Sequence, residues 1–164
     1  IRDYINIYEK LKTINPKIEF SSDFIIAYPG EEEKDFEATF DLIKNIKFIN
    51  SYSFIFSPRP GTTASNLDLI DKKISLKRLE KVQRQLFEHQ IVMNKSLEGK
   101  EIKVLVENKT KNNNKFFGKS EYMTSVFFDG NEQDVGNEIK VKIKNSNQNT
   151  LIGENLSNSE QRVA

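Results

Sequence analysis

Phe24-Ile25-Ile26-Ala27-Tyr28-Pro29-Gly30-Glu31 is an apolar, β-prone run that stops abruptly at Pro and Gly. The same grammar returns at Tyr52-Ser53-Phe54-Ile55-Phe56-Ser57-Pro58-Arg59-Pro60-Gly61-Thr62. Between the two lies one helix-length amphipathic segment, whose expected buried stripe is Phe36, Phe40, Ile43 and Ile46. That is a strand–helix–strand unit. Parallel strands joined this way bring both loops to the same edge of a sheet. In parallel α/β folds that edge carries the chemistry.

Outward from this unit, residues 2–14 place Tyr4, Ile5, Tyr8, Leu11 and Ile14 at helical spacing, and Asn15-Pro16 ends that helix. Ile18 to Tyr28 reads as one strand, continuously apolar after Ser21-Ser22-Asp23, which fits a strand covered on both faces. Glu31, Glu32, Glu33 and Asp35 crowd the start of the next helix, where carboxylates oppose the positive end of its macrodipole. A second strand spans Tyr52–Ser57. Residues 58–74 form a loop, and Ser75 is the expected N-cap of a long helix reaching about Leu97. Its apolar positions are Leu76, Leu79, Val82, Leu86 and Val92 or Met93, with Lys77, Arg78, Lys81 and Arg84 on the other face. Two strands alone leave open hydrogen-bonding edges, which natural folds avoid. Residues 1–96 therefore read as the C-terminal part of a larger (β/α) barrel. The chain also lacks an initiator Met, so the missing strands are expected upstream of Ile1.

After Gly99 the helical period disappears. Ile102–Val106 and Val126–Phe128 are short strands, the latter closed by the turn signal Asp129-Gly130. Ile139-Lys140-Val141-Lys142-Ile143-Lys144 alternates perfectly, and Leu151-Ile152-Gly153 reads as a last strand. Asn108 to Ser120 reads as a polar loop region carrying Lys109, Lys111, Lys115 and Lys119. Residues 97–155 thus suggest a small all-β barrel, and 156–164 a polar tail.

Composition narrows the classes. The chain has 164 residues, 37% of them apolar and 30% charged, which suggests one or two soluble globular domains. No run approaches the roughly 18 apolar residues of a membrane span. A formal net charge of +1 excludes strong bulk basicity but leaves room for a local nucleic-acid patch. The absence of Cys excludes disulfides, thiolate metal sites and Cys nucleophiles. No metal-ligand spacing, phosphate-binding Gly loop or Ser/His/Asp set is present, and His89, the only His, reads as a packing or solvent-facing residue.

The two loops carry a specific likeness. Ser22-Asp23-Phe24-Ile25-Ile26-Ala27-Tyr28-Pro29-Gly30-Glu31, with Asp35-Phe36-Glu37-Ala38-Thr39, resembles the SDxIxGFPGET…DFxxT segment of the radical-SAM methylthiotransferases. Tyr52 to Thr62 resembles their YSFxYSPRPGTPA segment. The β-module is similar to a TRAM domain, from Gly99-Lys100 and Val104-Leu105-Val106-Glu107 through Gly118-Lys119, Val126, Gly136 and Val141-Lys142-Ile143 to Leu151-Ile152-Gly153. Within the family the likeness is to the branch that modifies N(6)-dimethylallyladenosine in tRNA. The ribosomal-protein branch usually has an acidic residue where Arg59 stands. The threonylcarbamoyladenosine and ribosomal-protein branches stay open, as does a non-enzymatic RNA-binding module. Two departures stand out: Ala27-Tyr28 replaces the family's Gly-Phe, and Thr63 replaces a frequent Pro.

The resemblance implies a cytoplasmic transferase that inserts sulfur and methylates at C2 of an adenosine beside the anticodon. One 4Fe-4S cluster would cleave S-adenosylmethionine to a radical, a second would supply sulfur, and another S-adenosylmethionine would give the methyl group. The cluster cysteines belong to the family's N-terminal half, so this chain holds no catalytic or metal-ligating residue and is expected to be inactive alone. Its partners would be those upstream domains and the tRNA anticodon stem-loop, with no membrane. Cofactor contacts are expected from Ile25, Ile26, Tyr28, Pro29, Glu31, Phe54 and Ser57, and substrate contacts from Arg59, Gly61 and Thr62. Ile25 and Ile26 read equally as barrel core, and Glu31 equally as a helix cap. Arg59, stiffened by Pro58 and Pro60, suits a phosphate or carboxylate. RNA contacts are expected from Lys109, Lys111, Lys115, Phe116, Phe117, Lys119, Lys140, Lys142 and Lys144, as cations for phosphates and an aromatic for stacking.

Overall fold

The computed structural model describes residues 1–111 and 115–156. It divides into two compact units, Ile1–His89 and Gln90–Ala164. In the first, α1 (Arg2–Ile14) is followed by β1 (Asp23–Ile26), α2 (Glu33–Ile46), β2 (Tyr52–Ile55) and a 3₁₀ turn at Thr63–Asn66. Then α3 (Lys72–Ser96) begins. The strand–helix–strand reading holds: β1 and β2 pair in parallel, Ile25 opposite Phe54 and Ile26 opposite Ile55. So does the stripe of α2, whose buried residues are Phe36, Phe40, Ile43 and Ile46. These join Phe24, Ile26, Phe48, Val82 and Leu86 in one core, each large side chain contributing about 1.5–3 kcal/mol by leaving water.

Three expectations are corrected. The first strand is four residues long rather than running from Ile18. Its faces are not both covered: Phe24 and Ile26 are core, whereas Ile25 and, on β2, Tyr52 and Phe54 are 60%, 66% and 56% exposed. The core described above packs on one side of the pair only. Finally, α3 is capped by Asp71, not Ser75. The Asp71 Oδ1 accepts the Lys73 and Ile74 amides at 2.9 and 3.3 Å, as an N-cap carboxylate does. Ser75 lies one turn inside and donates back to the Asp71 carbonyl at 2.9 Å. At the other end of the helix Met93, not Val92, turns inward.

In the second unit, β3 (Glu101–Lys109), β4 (Lys115–Ser120), β5 (Ser125–Asp129), β6 (Glu138–Ser146) and β7 (Thr150–Asn155) close a barrel in the order β3-β4-β5-β7-β6. All pairings are antiparallel except β5 with β7. Alternation fills the interior with Val104, Val106, Phe116, Val126, Phe128, Val141, Ile143 and Leu151. The barrel closes tightly at Gly118, where an added Cβ would stand 2.1 Å from the Leu105 carbonyl oxygen. Bulges between Val106 and Asn108 and between Ile143 and Asn145 relieve the curvature. Lys115–Ser120, expected as loop, is strand; Lys115 and Lys119 occupy outward positions, whereas Ser120 is buried. The Leu156 amide still bonds the Lys140 carbonyl at 3.0 Å, and the rest of the expected tail, 157–164, lies outside the described residues. Asn94, fully buried, holds the β6–β7 turn by donating to the Asn147 and Gln148 carbonyls at 2.8 and 3.0 Å.

Candidate functional site

Both Pro-Gly loops leave the C-terminal ends of the parallel strands, so they share one edge of the sheet. They also share one turn. In Tyr28-Pro29-Gly30-Glu31 the Glu31 amide donates to the Tyr28 carbonyl at 2.9 Å, and in Arg59-Pro60-Gly61-Thr62 the Thr62 amide donates to the Arg59 carbonyl at 3.2 Å. Pro fixes the second position of each, and Gly takes the third at φ 87° and 83°. That is the residue pattern of a type II turn, whose third position requires positive φ. The rings of Tyr28 and Phe56 meet edge-on at 5.0 Å and link the two loops. Beside them Ile25 and Phe54 stand opposite each other on the exposed face, with Tyr52 stacked on Phe54 at 6.4 Å.

A polar chain holds the first loop from behind. Ala27 is buried in the left-handed region at φ 59°, a conformation that costs an L-residue about 1–2 kcal/mol. Its amide donates to Glu31 Oε2 at 3.0 Å. The other carboxylate oxygen accepts Arg78 Nη1 at 2.7 Å, and the same nitrogen reaches the Glu31 carbonyl at 3.2 Å. Arg78 Nη2 pairs with Glu33 at 2.8 Å, and the guanidinium lies over the Phe36 ring at 5.2 Å. Arg78, placed by the sequence reading on the basic face of its helix opposite the apolar positions, is 7% exposed. Burial opposes its charge, but Glu33 and Glu31 outweigh it and hold its pKa above the ordinary value. Such a buried pair is costly to break from one side, because a charge is left unpaired.

The expected cofactor contacts therefore separate. Ile25, Tyr28 and Phe54 are exposed on or beside the outer face, and Ser57 is exposed in the second loop. Ile26 is a correction: at 1% exposure it belongs to the core, because alternation turns it away from Ile25. Pro29 is buried within its turn. Glu31 does not cap α2; the capping box is made by Glu32 and Asp35. In the second loop Arg59 is exposed and its guanidinium pairs with no carboxylate among the described residues. Gly61 makes the turn, and the Thr62 hydroxyl donates to the Arg59 carbonyl at 2.8 Å.

On the barrel surface the lysines fall into two groups. Lys109 pairs with Glu132 at 2.9 Å, Lys115 with Asp129 at 2.9 Å and Lys144 with Glu154 at 2.8 Å. The hydrogen-bonded lysines pull the Glu132 and Glu154 carboxyls below their usual range. Lys119 donates to Ser125 Oγ at 2.9 Å. Lys111, Lys140 and Lys142 form no ion pair among the described residues. Phe116 is a correction: at 1% exposure it is barrel core and presents no face to a base. Phe117 stands on the outer side with Phe127 opposite, ring centroids 6.0 Å apart. The sequence reading missed Phe127; counting outward by two from the Asp129-Gly130 turn would have found it. Among the described residues no group of His, Asp or Glu could hold a metal ion, and no helix is long and apolar enough to cross a membrane.

Residues 95–156 match the TRAM domain model. The whole chain is 59% identical over 164 residues to the tRNA-2-methylthio-N(6)-dimethylallyladenosine synthase of Pelagibacter ubique, covering 37% of that protein. Proteins of the same description from Buchnera aphidicola and a Wolbachia of Brugia malayi are 44% and 42% identical over 97% and 94% of the chain. The chain spans little more than a third of the length of these curated relatives, 37% and 36% in the last two. The likeness runs through both rim loops and the barrel alike, so over its whole length the chain is similar to the tRNA methylthiotransferases that its Pro-Gly segments resemble.

Proposed function

We propose that this chain is the C-terminal part of a tRNA methylthiotransferase that modifies N(6)-dimethylallyladenosine beside the anticodon. The observation that carries the reading is the pair of matched turns on one sheet edge, joined by Tyr28 and Phe56, within a sequence 59% identical to a synthase of that description. The parallel β1–β2 pair, with its bare apolar face, is then the last portion of a radical-SAM (β/α) barrel whose other strands come from the preceding part of the protein. Residues 1–96 would belong to that barrel and 97–155 to the TRAM module.

The residues present fit S-adenosylmethionine in part. Ile25 and Phe54 offer an apolar wall suited to an aromatic base, and Tyr28 continues it at the rim. When bound, that cofactor supplies the radical and the methyl group. This chain's own work is to present the wall, to keep water off it with the two turns, and to offer Arg59 to an anionic group of cofactor or substrate. The chain has no Cys and cannot hold either 4Fe-4S cluster itself, so the cluster ligands belong to the preceding part. The barrel lysines, with Phe117 and Phe127, suit docking of the anticodon stem-loop through phosphate contacts and stacking. A cytoplasmic location follows from that substrate.

The test is the nucleoside content of tRNA from cells lacking the gene. The expected result is loss of 2-methylthio-N(6)-dimethylallyladenosine with accumulation of the unthiolated nucleoside. Loss of a methylthiolated threonylcarbamoyladenosine instead would move the enzyme to that branch, and unchanged tRNA would overturn the reading.

A further inference from the structure

We infer that Arg78 is a positioning residue for the rim loop Ala27–Glu31: its guanidinium holds Glu31, and Glu31 holds the left-handed Ala27 that aims Tyr28 and the Pro-Gly turn. The inference rests on the proposed role of that loop as cofactor wall. Its geometry is a relay of two links carried by three hydrogen bonds. Arg78 Nη1 meets both the carboxylate and the carbonyl of Glu31, at 2.7 and 3.2 Å. The far carboxylate oxygen receives the Ala27 amide at 3.0 Å. Ala27 lies directly after the core residue Ile26 and directly before Tyr28, so its φ of 59° sets the direction in which the loop leaves the strand. Without the carboxylate at its amide, an L-residue at this position relaxes toward negative φ, and Tyr28 leaves Phe56.

The relay is more than packing. A strained backbone persists only where its surroundings over-determine it. Here the determining group is a charge-assisted bond anchored on α3, 47 residues away in sequence. The chemistry also requires a guanidinium. A planar fork can reach Glu31 and Glu33 together, whereas a lysine ammonium is a single point on a flexible stem. Replacing Ala27 by Gly should make the relay dispensable, because Gly adopts positive φ without help.

The experiment is amide hydrogen exchange on the full chain, comparing Arg78→Lys, Glu31→Gln and Arg78→Lys with Ala27→Gly. Loss of a charge-assisted bond should speed exchange at Ala27 and Glu31 by roughly ten- to a hundredfold. Phe36 and Ile43 in the neighbouring core should keep their protection. The double variant should recover the loop's wild-type chemical shifts at Tyr28 and Phe56, which a general loss of stability would not allow. Uniform acceleration across the unit, or unchanged exchange at Ala27 in both single variants, overturns the inference. Saturation transfer from the chain to S-adenosylmethionine separates the two readings. A loop that loosens in the variants, while the wild-type and variant signals from the cofactor are the same, leaves the relay standing and removes the cofactor role of the loop.

Discussion

Ala27 stands where the family pattern has Gly, and the structure keeps the Gly conformation. Substitution by Gly relieves about 1–2 kcal/mol of strain but loses a buried methyl worth about 0.8 kcal/mol and frees the unfolded chain by about 0.4–1 kcal/mol. Chemical denaturation should therefore find Ala27→Gly within about 1 kcal/mol of wild type. Ala27→Val, which puts a β-branched residue at positive φ, should cost more than about 2 kcal/mol. His89 gives a pH test. Burial, aided by Lys47, lowers its pKa below 6.5, so the folded state binds its proton less readily than the unfolded chain. Stability from this group is complete above about pH 6.5 and falls as pH drops toward the lowered native value. Urea titrations between about pH 5 and pH 8 should show that acid-side loss flattened in His89→Gln. Much at this scale was hidden in the sequence. A continuous apolar run has no parity, so Ile25 and Ile26 could not be told apart until the register was known. Arg78 and Glu31 lie too far apart for any local pattern to join them.

At the scale of elements, α2 was legible because its period of buried residues is unbroken, and β6 because Lys and aliphatics alternate. The start of α3 was not, since both Asp71 and Ser75 suit a cap and only hydrogen bonding distinguishes them. The strand β4 was masked by its lysines, which lie where a hairpin meets solvent. Its Gly118 leaves no room for a side chain against β3. Gly118→Ala would push a methyl to 2.1 Å from a backbone oxygen and 2.9 Å from Val104 Cγ1. Strands cannot yield as side chains do, so the substitution should cost about 3 kcal/mol or more, read from thermal unfolding of the barrel. A small change there is expected only if the β3–β4 register slips, which loss of the Val106–Gly118 pairing would reveal.

For the whole molecule, the sequence separated an α/β part from an all-β part because each has its own period. It could not supply the strand order, which depends on long-range pairing. It also could not sort the lysines, because their acidic partners lie across strands. That sorting makes a prediction. Lys140→Ala and Lys142→Ala should each lower the salt dependence of RNA binding by about one unit of slope. Lys144→Ala should lower it less, since its charge is already shared with Glu154. Equal slopes for all three in filter-binding titrations would set this surface aside as the RNA face.

The order β3-β4-β5-β7-β6 also bears on how the chain is made. Of the five barrel strands, the one translated last slots between β5 and β6, and it closes the ring by its parallel contact with β5. On the ribosome, where residues emerge at about 5–20 per second, the nascent barrel stays unsealed until β7 clears the exit tunnel. A stop codon before Thr150 would thus leave two raw sheet edges rather than a slightly shorter barrel.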